Sequence, residues 1–281
     1  MHKLLLIDGS NLLFQMFYGM PSRIFNKEGK PIHGTLGFIG ALLKIIRMVK
    51  PTHVAVLFDG EHHNERKDVD ENYKANRPDF SQMAEEETPF CQLPDIYRAL
   101  DYMGICHTET TVCETDDVLA AYALRFGGTM QILISSFDSD FFQLVNENVH
   151  VLRYRGDKTQ ICDAQYVLQK FGVAPCKYAD YKCLVGDTAD NVKGVLGIGP
   201  KTAAKLINEY GSIAKIFENI DQIKQAGMRS SLKSAEERLQ INQSLIRLND
   251  AACLPFSLEE LVYSYDGKTT SEVLKAIGVQ R

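Results

Sequence analysis

The chain has 281 residues, 45% hydrophobic and 24% charged, enough to bury a sizeable core in one large domain or one domain with a smaller companion. It has no low-complexity tract, which excludes a disordered chain, and its seven scattered cysteines, with no CxxC pair, argue against a disulfide framework or a zinc site. The formal net charge of −5 argues weakly against nucleic-acid binding, although a cluster of catalytic acids would itself lower that total.

Taken in chain order, "KLLLID" (Lys3 to Asp8) is a continuous apolar run that predicts a strand buried on both faces, ending at Asp8. "TLGFIGALLKIIRMVK" follows with helical spacing, and "HVAVLFD" predicts a second buried strand ending at Asp59. The span from Gly60 to Pro94 is polar, carries Pro78, Pro89, Pro94 and the acidic "EEE", and reads as mobile or lid-like. Within it Arg66, Lys67, Lys74 and Arg77 sit just past Asp59, where basic groups could stabilise charge on a phosphate. The acids Asp68, Asp70 and Glu71 nearly balance them, so a solvated loop is the plainer reading. His62 and His63 are read as solvated, and Tyr73 as an isolated exposed tyrosine.

"ETDDVLAAYALRF" opens a helix with Glu114, Asp116 and Asp117 crowded into four positions. At roughly 4 Å and an effective dielectric of about 20, each like-charge pair costs on the order of 4 kcal/mol. The helix dipole returns only about 0.3–1 kcal/mol, so a cation is missing from the account. "MQILISSFDSD" predicts a third buried strand, leading to Asp138 and Asp140. Strand, helix and strand in alternation imply a wound α/β sheet whose ligand crevice lies at the carboxyl ends of the strands. Any one Asp closing a strand is usually a turn former or helix cap. Three on one rim beside the acid-rich helix start instead select a hard divalent cation such as Mg²⁺ or Mn²⁺.

Further on, "RYRGDK" (Arg153 to Lys158) reads as a hairpin tip. "LVGDTADNVKGVLGIGPKTAAKLI" then adds Asp187 and Asp190, a second acid pair that would allow two metal ions and in-line phosphodiester cleavage. Just beyond, Gly197 and Gly199 permit a tight turn and Pro200 suits the first helical position, with Lys201 and Lys205 on the helix. This has the look of a helix–hairpin–helix that cradles a backbone phosphate, against a plain glycine turn as the alternative.

The ordered motifs "LLLIDGSNLLF", "VAVLFDG", "NYKANR", "ETDDVLA", "SSFDSDFFQLV" and "GDTADNVKGVLGIGPKTAAKL" resemble the 5′ nuclease family over roughly residues 3 to 255. That family comprises the 5′→3′ exonuclease domain of bacterial DNA polymerase I, stand-alone bacterial and phage relatives, and flap endonucleases. The resemblance implies an α/β fold: a wound, mostly parallel central sheet of PIN-like type, with a helical helix–hairpin–helix DNA-binding region. A catalytic core is expected over residues 1–170, with a helical arch at about 60–94, followed by the helical region and C-terminal tail over 171–281. By resemblance the metal-binding acids are Asp8, Asp59, Glu114, Asp116, Asp117, Asp138, Asp140, Asp187 and Asp190. Lys74 and Arg77 take the catalytic positions at the base of the arch. Arg66, Gly197, Gly199, Lys201, Thr202 and Lys205 would contact DNA, and the backbone carbonyls of Val195, Gly197 or Ile198 would hold K⁺.

Two positions depart from the family pattern: Gln15 follows Phe14 where an arginine is common, and Asp70 stands where a tyrosine is common. The resemblance implies a divalent-metal-dependent 5′→3′ exonuclease and 5′-flap endonuclease in replication and repair, acting on DNA with a 5′ flap, 5′ overhang or nick. Two rivals stay open, a junction-binding module without turnover and a related nuclease that cuts RNA. No run approaches the ~20 apolar residues that span a bilayer, and the N-terminal apolar run is too short for a signal peptide. A cytoplasmic monomer without a membrane partner is expected, either stand-alone or an excised domain.

Overall fold

The computed structural model describes residues 2–60, 65–249 and 251–279. Five parallel strands run β1 (Lys3–Asp8), β2 (His53–Asp59), β3 (Cys106–Thr110), β4 (Gln131–Ser135) and β5 (Val149–Arg153), and β6 (Gln160–Cys162) closes one edge antiparallel to β5. The sheet order is β3-β2-β1-β4-β5-β6, so the direction of winding reverses between β1 and β4. Side chains alternate faces along a strand. Leu4 and Leu6 therefore enter one buried cluster while Leu5 and Ile7 enter the other, which is why the sequence reads as unbroken apolar runs.

One face is covered by α1 (Gly9–Gly19), α2 (His33–Val49) and, beyond the five-residue α3 (Glu65–Val69), α4 (Leu93–Met103). The other face meets α5 (Thr115–Phe126) and the helical region. That region comprises α6 (Ala164–Phe171), α7 (Tyr178–Val185), α8 (Pro200–Tyr210), α9 (Ile213–Glu218), α10 (Ala226–Ser234) and α11 (Glu236–Ile246). Between α7 and α8 a two-stranded ribbon pairs β7 (Gly186–Asp187) with β8 (Val192–Lys193). The arms of this ribbon are in such close contact that a Cβ at Gly186 would lie 2.4 Å from the Gly194 nitrogen, and Gly186 itself has φ +85. Only glycine fits there.

Two expectations need correction. The span expected as a helical arch holds, among its described residues, only α3 before turns and three short 3₁₀ segments that lead into α4. Its proline content and its polar, non-periodic sequence give no apolar face on which a longer helix could pack. Residues 61–64, including His62 and His63, lie outside the described residues. At the other end, residues 252–279 return to the α/β core. The Tyr263 amide donates to Thr52 O, and α12 (Thr270–Ala276), capped by a reciprocal Thr269–Glu272 box, packs on α2 and α4. Among the described residues no helix is long and apolar enough to cross a membrane.

Candidate metal centre and nucleic-acid interface

β1 ends at Asp8 and β2 at Asp59, and Asp138 and Asp140 lie just past the end of β4. The reversal between β1 and β4 is a topological switch point, where ligands of open α/β sheets bind. Asp8 Oδ1 caps α1 by accepting from the Asn11 amide at 2.9 Å, and its Oδ2 accepts from Ser136 Oγ at 2.7 Å. Asp138 Oδ1 accepts from the Asp140 amide at 2.7 Å, and Asp59 Oδ1 lies 3.4 Å from the Thr115 amide. Burial pushes the Asp8 carboxyl up to about 7, reinforced by the neighbouring charges of Asp59 and Asp138. Burial also drives Asp116 well above the usual carboxylate range, with Asp138, Asp8 and Asp59 adding to the rise. The strand-end acids and Asp116 thus share one electrostatic pocket.

Glu114 stands at the N-cap of α5 and Asp117 in its first turn. The guanidinium of Arg66 forks across both, at 2.6 Å to Glu114 and 2.8 Å to Asp117. Lys74 reaches the other Glu114 oxygen at 3.0 Å. Tyr73 is buried rather than exposed as the sequence suggested, and its hydroxyl donates to Glu114 at 3.3 Å. Both Glu114 oxygens are therefore committed to side chains of the 66–74 segment. Lys74 itself adopts φ 56, and its amide donates to Asp190 O at 3.0 Å. Arg77 pairs with Asp190 at 2.9 Å and keeps about half of its side chain exposed.

The second acidic group lies beside the first. Ligand oxygens of Asp138, Asp140 and Asp190 fall within 4.8 Å of one another. Asp187 is on the adjoining ribbon, with Oδ1 accepting from the Ala189 amide and Oδ2 paired with Lys182. Lys182, on α7, also pairs with Asp140. The sequence pattern did not single out Lys182, because a lysine in a short mixed helix reads as a solvated residue. Burial opposes its charge, but Asp140, Asp138 and Asp187 outweigh burial and hold its pKa above the usual lysine value. Asp140 is raised by burial to about 7 even so. At Asp187 burial acts upward, but Lys182 wins and the pKa falls.

The all-oxygen donor set is crowded and runs from the buried Asp8 and Asp140 to the exposed Asp59; it suits hard divalent cations and lacks the His or Cys ligands of softer metals. Buried carboxylates raised this far are also anions that a divalent charge would stabilise.

Beyond the ribbon, Gly197 takes φ +79 and Pro200 is the first residue of α8. Gly199 has φ −88, so it serves as the extended N-cap and does not need glycine's left-handed freedom. Lys201 and Lys205 are exposed on α8 and Thr202 is half-buried. The side chains of Val195 and Ile198 are buried under the turn, and Val195 O accepts from the Ile198 amide at 3.0 Å. Both positions that depart from the family pattern have partners. Gln15 Nε2 donates to Tyr154 O at 2.6 Å, and Asp70 pairs with Arg238 on α11.

This geometry defines an open α/β protein with an acidic crevice at its switch point and a helical region flanking the crevice. The chain belongs to the 5′-3′ exonuclease family. Residues 3–172 match its N-terminal resolvase-like domain and 173–268 its C-terminal SAM fold. It is 37% identical to DNA polymerase I of Rhizobium leguminosarum over 92% of this chain and 26% of that protein. It is 32% identical to a 5′-3′ exonuclease of Aquifex aeolicus over 93% of this chain and 86% of that one. The chain thus spans roughly a quarter to a third of the polymerase I relatives it matches. In fold it is similar to the bacteriophage T5 D15 protein co-crystallised with metal ions, with a TM-score of 0.69 and 24% identity over 87% and 89% of the two chains. It is also similar to the Rad2 catalytic core in complex with DNA substrate, with a TM-score of 0.58 and 15% identity over 98% and 93%.

Proposed function

We propose that the chain is a divalent-metal-dependent, structure-specific 5′ nuclease acting on DNA with a 5′ flap, 5′ overhang or nick. The observation that carries this reading is the gathering of carboxylates, several of them buried, from three strand ends, α5 and the β7–β8 ribbon at one switch point, with Asp8 and Asp140 raised to about 7. At neutral pH such a ring is relieved by protonation or by cations, and only a cation does so while keeping the carboxylates charged. Family membership and the substrates of the similar proteins point the same way.

In this reading residues 1–170 carry most of the chemistry, the β7–β8 turn adds Asp190, and the helical region around it grips the duplex. Asp8, Asp59, Asp116 and Asp138 hold one Mg²⁺ or Mn²⁺, while Asp138, Asp140 and Asp190 hold a second. Bound divalent ions supply an activated water and stabilise the leaving oxygen. Glu114 and Asp117 act through Arg66, Lys74 and Tyr73, fixing the base of the segment that faces the crevice. Lys74 and Arg77 meet the scissile phosphate once it displaces their carboxylate partners, adding positive charge where negative charge develops. The turn at Gly197 and Gly199, with Lys201, Thr202 and Lys205, holds a phosphate of the duplex without reading a base, and carbonyls of Val195, Gly197 and Ile198 hold K⁺.

Cleavage of a labelled 5′-flap DNA with and without Mg²⁺ tests the proposal. Asp138→Ala, which removes a carboxylate shared by both groups, is expected to lower cleavage by roughly 10³-fold or more while DNA still binds. Near-normal cleavage by that variant would sink the assignment.

A further inference from the structure

We infer that Lys182 is a resident cation of the second acidic group, that it withdraws Asp187 from metal ligation, and that it limits this group to one divalent ion. The inference rests on the metal-dependent reading above and sharpens it.

Lys182 is 4% exposed, and a lysine this buried keeps its charge only when paired. Its ammonium bridges Asp140 Oδ1 and Asp187 Oδ2. The other Asp187 oxygen accepts from the Ala189 amide at 2.8 Å, so one oxygen of Asp187 is held by the ammonium and the other by the backbone. Asp138, Asp140 and Asp190 converge within 4.8 Å, and Asp187 is not in that set. The position of the ammonium is fixed by its helix. Asn242 of α11 donates to Cys183 O at 2.9 Å and to Lys193 O at 2.8 Å, tying α7 to the ribbon that carries Asp187. Tyr178 packs edge-on against Phe142, just past Asp140. An ammonium held between two carboxylates excludes a divalent ion from the same gap by charge repulsion. It also lowers the anionic charge that would draw one in, so Lys182 is a positioning residue rather than a group that touches substrate.

The test counts Mn²⁺ bound per chain, by calorimetry and by the spin-resonance signal of free Mn²⁺, with no DNA present. Lys182→Met is expected to bind one further Mn²⁺ or to tighten the weakest site by roughly tenfold, the scale of a moderate coupling between sites. Asp187→Asn is expected to keep the count of the unaltered chain, while Asp190→Asn loses one ion. A merely structural lysine would not move these counts. Unchanged Mn²⁺ binding in folded Lys182→Met, or equal ion loss in Asp187→Asn and Asp190→Asn, overturns the inference. If Lys182→Met does not fold, the two aspartate variants decide. Absence of any Mn²⁺ uptake by the unaltered chain overturns the metal-dependent reading itself, and that result is distinguishable from the other outcomes.

Discussion

At the strand ends, Asp8 is held by a backbone amide and a serine hydroxyl, and burial beside other acids raises it to about 7. On the ribbon after α7, Asp187 touches an ammonium and its pKa falls below the usual value, while Asp190 pairs with a guanidinium. The two regions lie side by side and carry the same residue type, yet the chain neutralises them differently. The strand-end group sits on a rigid parallel sheet, where neighbouring strand termini are only about 5 Å apart, and Arg153 at the end of β5 donates to Phe137 O at 2.9 Å. The ribbon group borrows its counter-charges from α7 and from the segment at Arg77. An acidic cluster with resident cations is less dependent on metal than one without them.

The sharpest way to break that comparison is to remove one acid from each region. Asp116→Asn, in the strand-end group, is expected to lower flap cleavage by roughly 10³-fold, because it removes a ligand whose buried charge Lys74 offsets only in part and a metal would stabilise. Asp187→Asn is expected to cost about tenfold or less. Single-turnover rates at saturating Mg²⁺ decide the matter, and equal losses would show that the regions do not differ.

The difference should also appear as a pH dependence of metal-induced stability. Asp8 and Asp140 have folded pKa values near 7, raised above the unfolded carboxylate value of 3.8. A group raised in this way contributes stability below its unfolded pKa, and that contribution is lost as pH rises through the folded value. In chelated protein these two acids therefore favour the fold near pH 4 and oppose it by pH 8. A divalent ion restores the loss, and at pH 8 it does so without first expelling protons. The rise in Tm on adding Mg²⁺ should accordingly be larger at pH 8 than at pH 6 by several degrees, as read by calorimetric scans. Equal rises at both pH values would mean that these carboxylates are not in the metal's reach.

The legible parts of the molecule were those with a single physical cause. Buried parallel strands write themselves as "LLLI" and "VAVLF", and the aspartates that end them are therefore visible as one rim. β3 was missed because "CHTET" is a half-exposed outer strand with no apolar run. Tyr73 was misread because its burial comes from chain segments far away, and its neighbours Asn72 and Lys74 look like surface. Lys182 lay in plain view five residues before Asp187, but nothing in "YADYKCLV" says that its helix faces the acids. That fact depends on α11 fixing α7 through Asn242, a partner about sixty residues away.

Asp70 offers the finest test of how the two regions are joined. The family resemblance leads to the expectation of a tyrosine there, and of a lost DNA contact with aspartate in its place. Here Asp70 pairs with Arg238 of α11, and Asn191 Nδ2 donates to Asn72 O at 2.8 Å, so the segment leading to Lys74 is pinned to the helical region from two sides. Arg238 keeps more than a third of its side chain exposed, so solvent screening limits the pair to about 1 kcal/mol or less of global stability. Its local effect should be clearer. Arg238→Ala and Asp70→Ala are each expected to speed amide exchange over residues 66–77, and the double variant should be no faster than either one alone, the mark of a shared interaction. Additive acceleration would show that the two side chains restrain the segment independently, and the ion pair would then have no part in presenting Lys74 to the crevice.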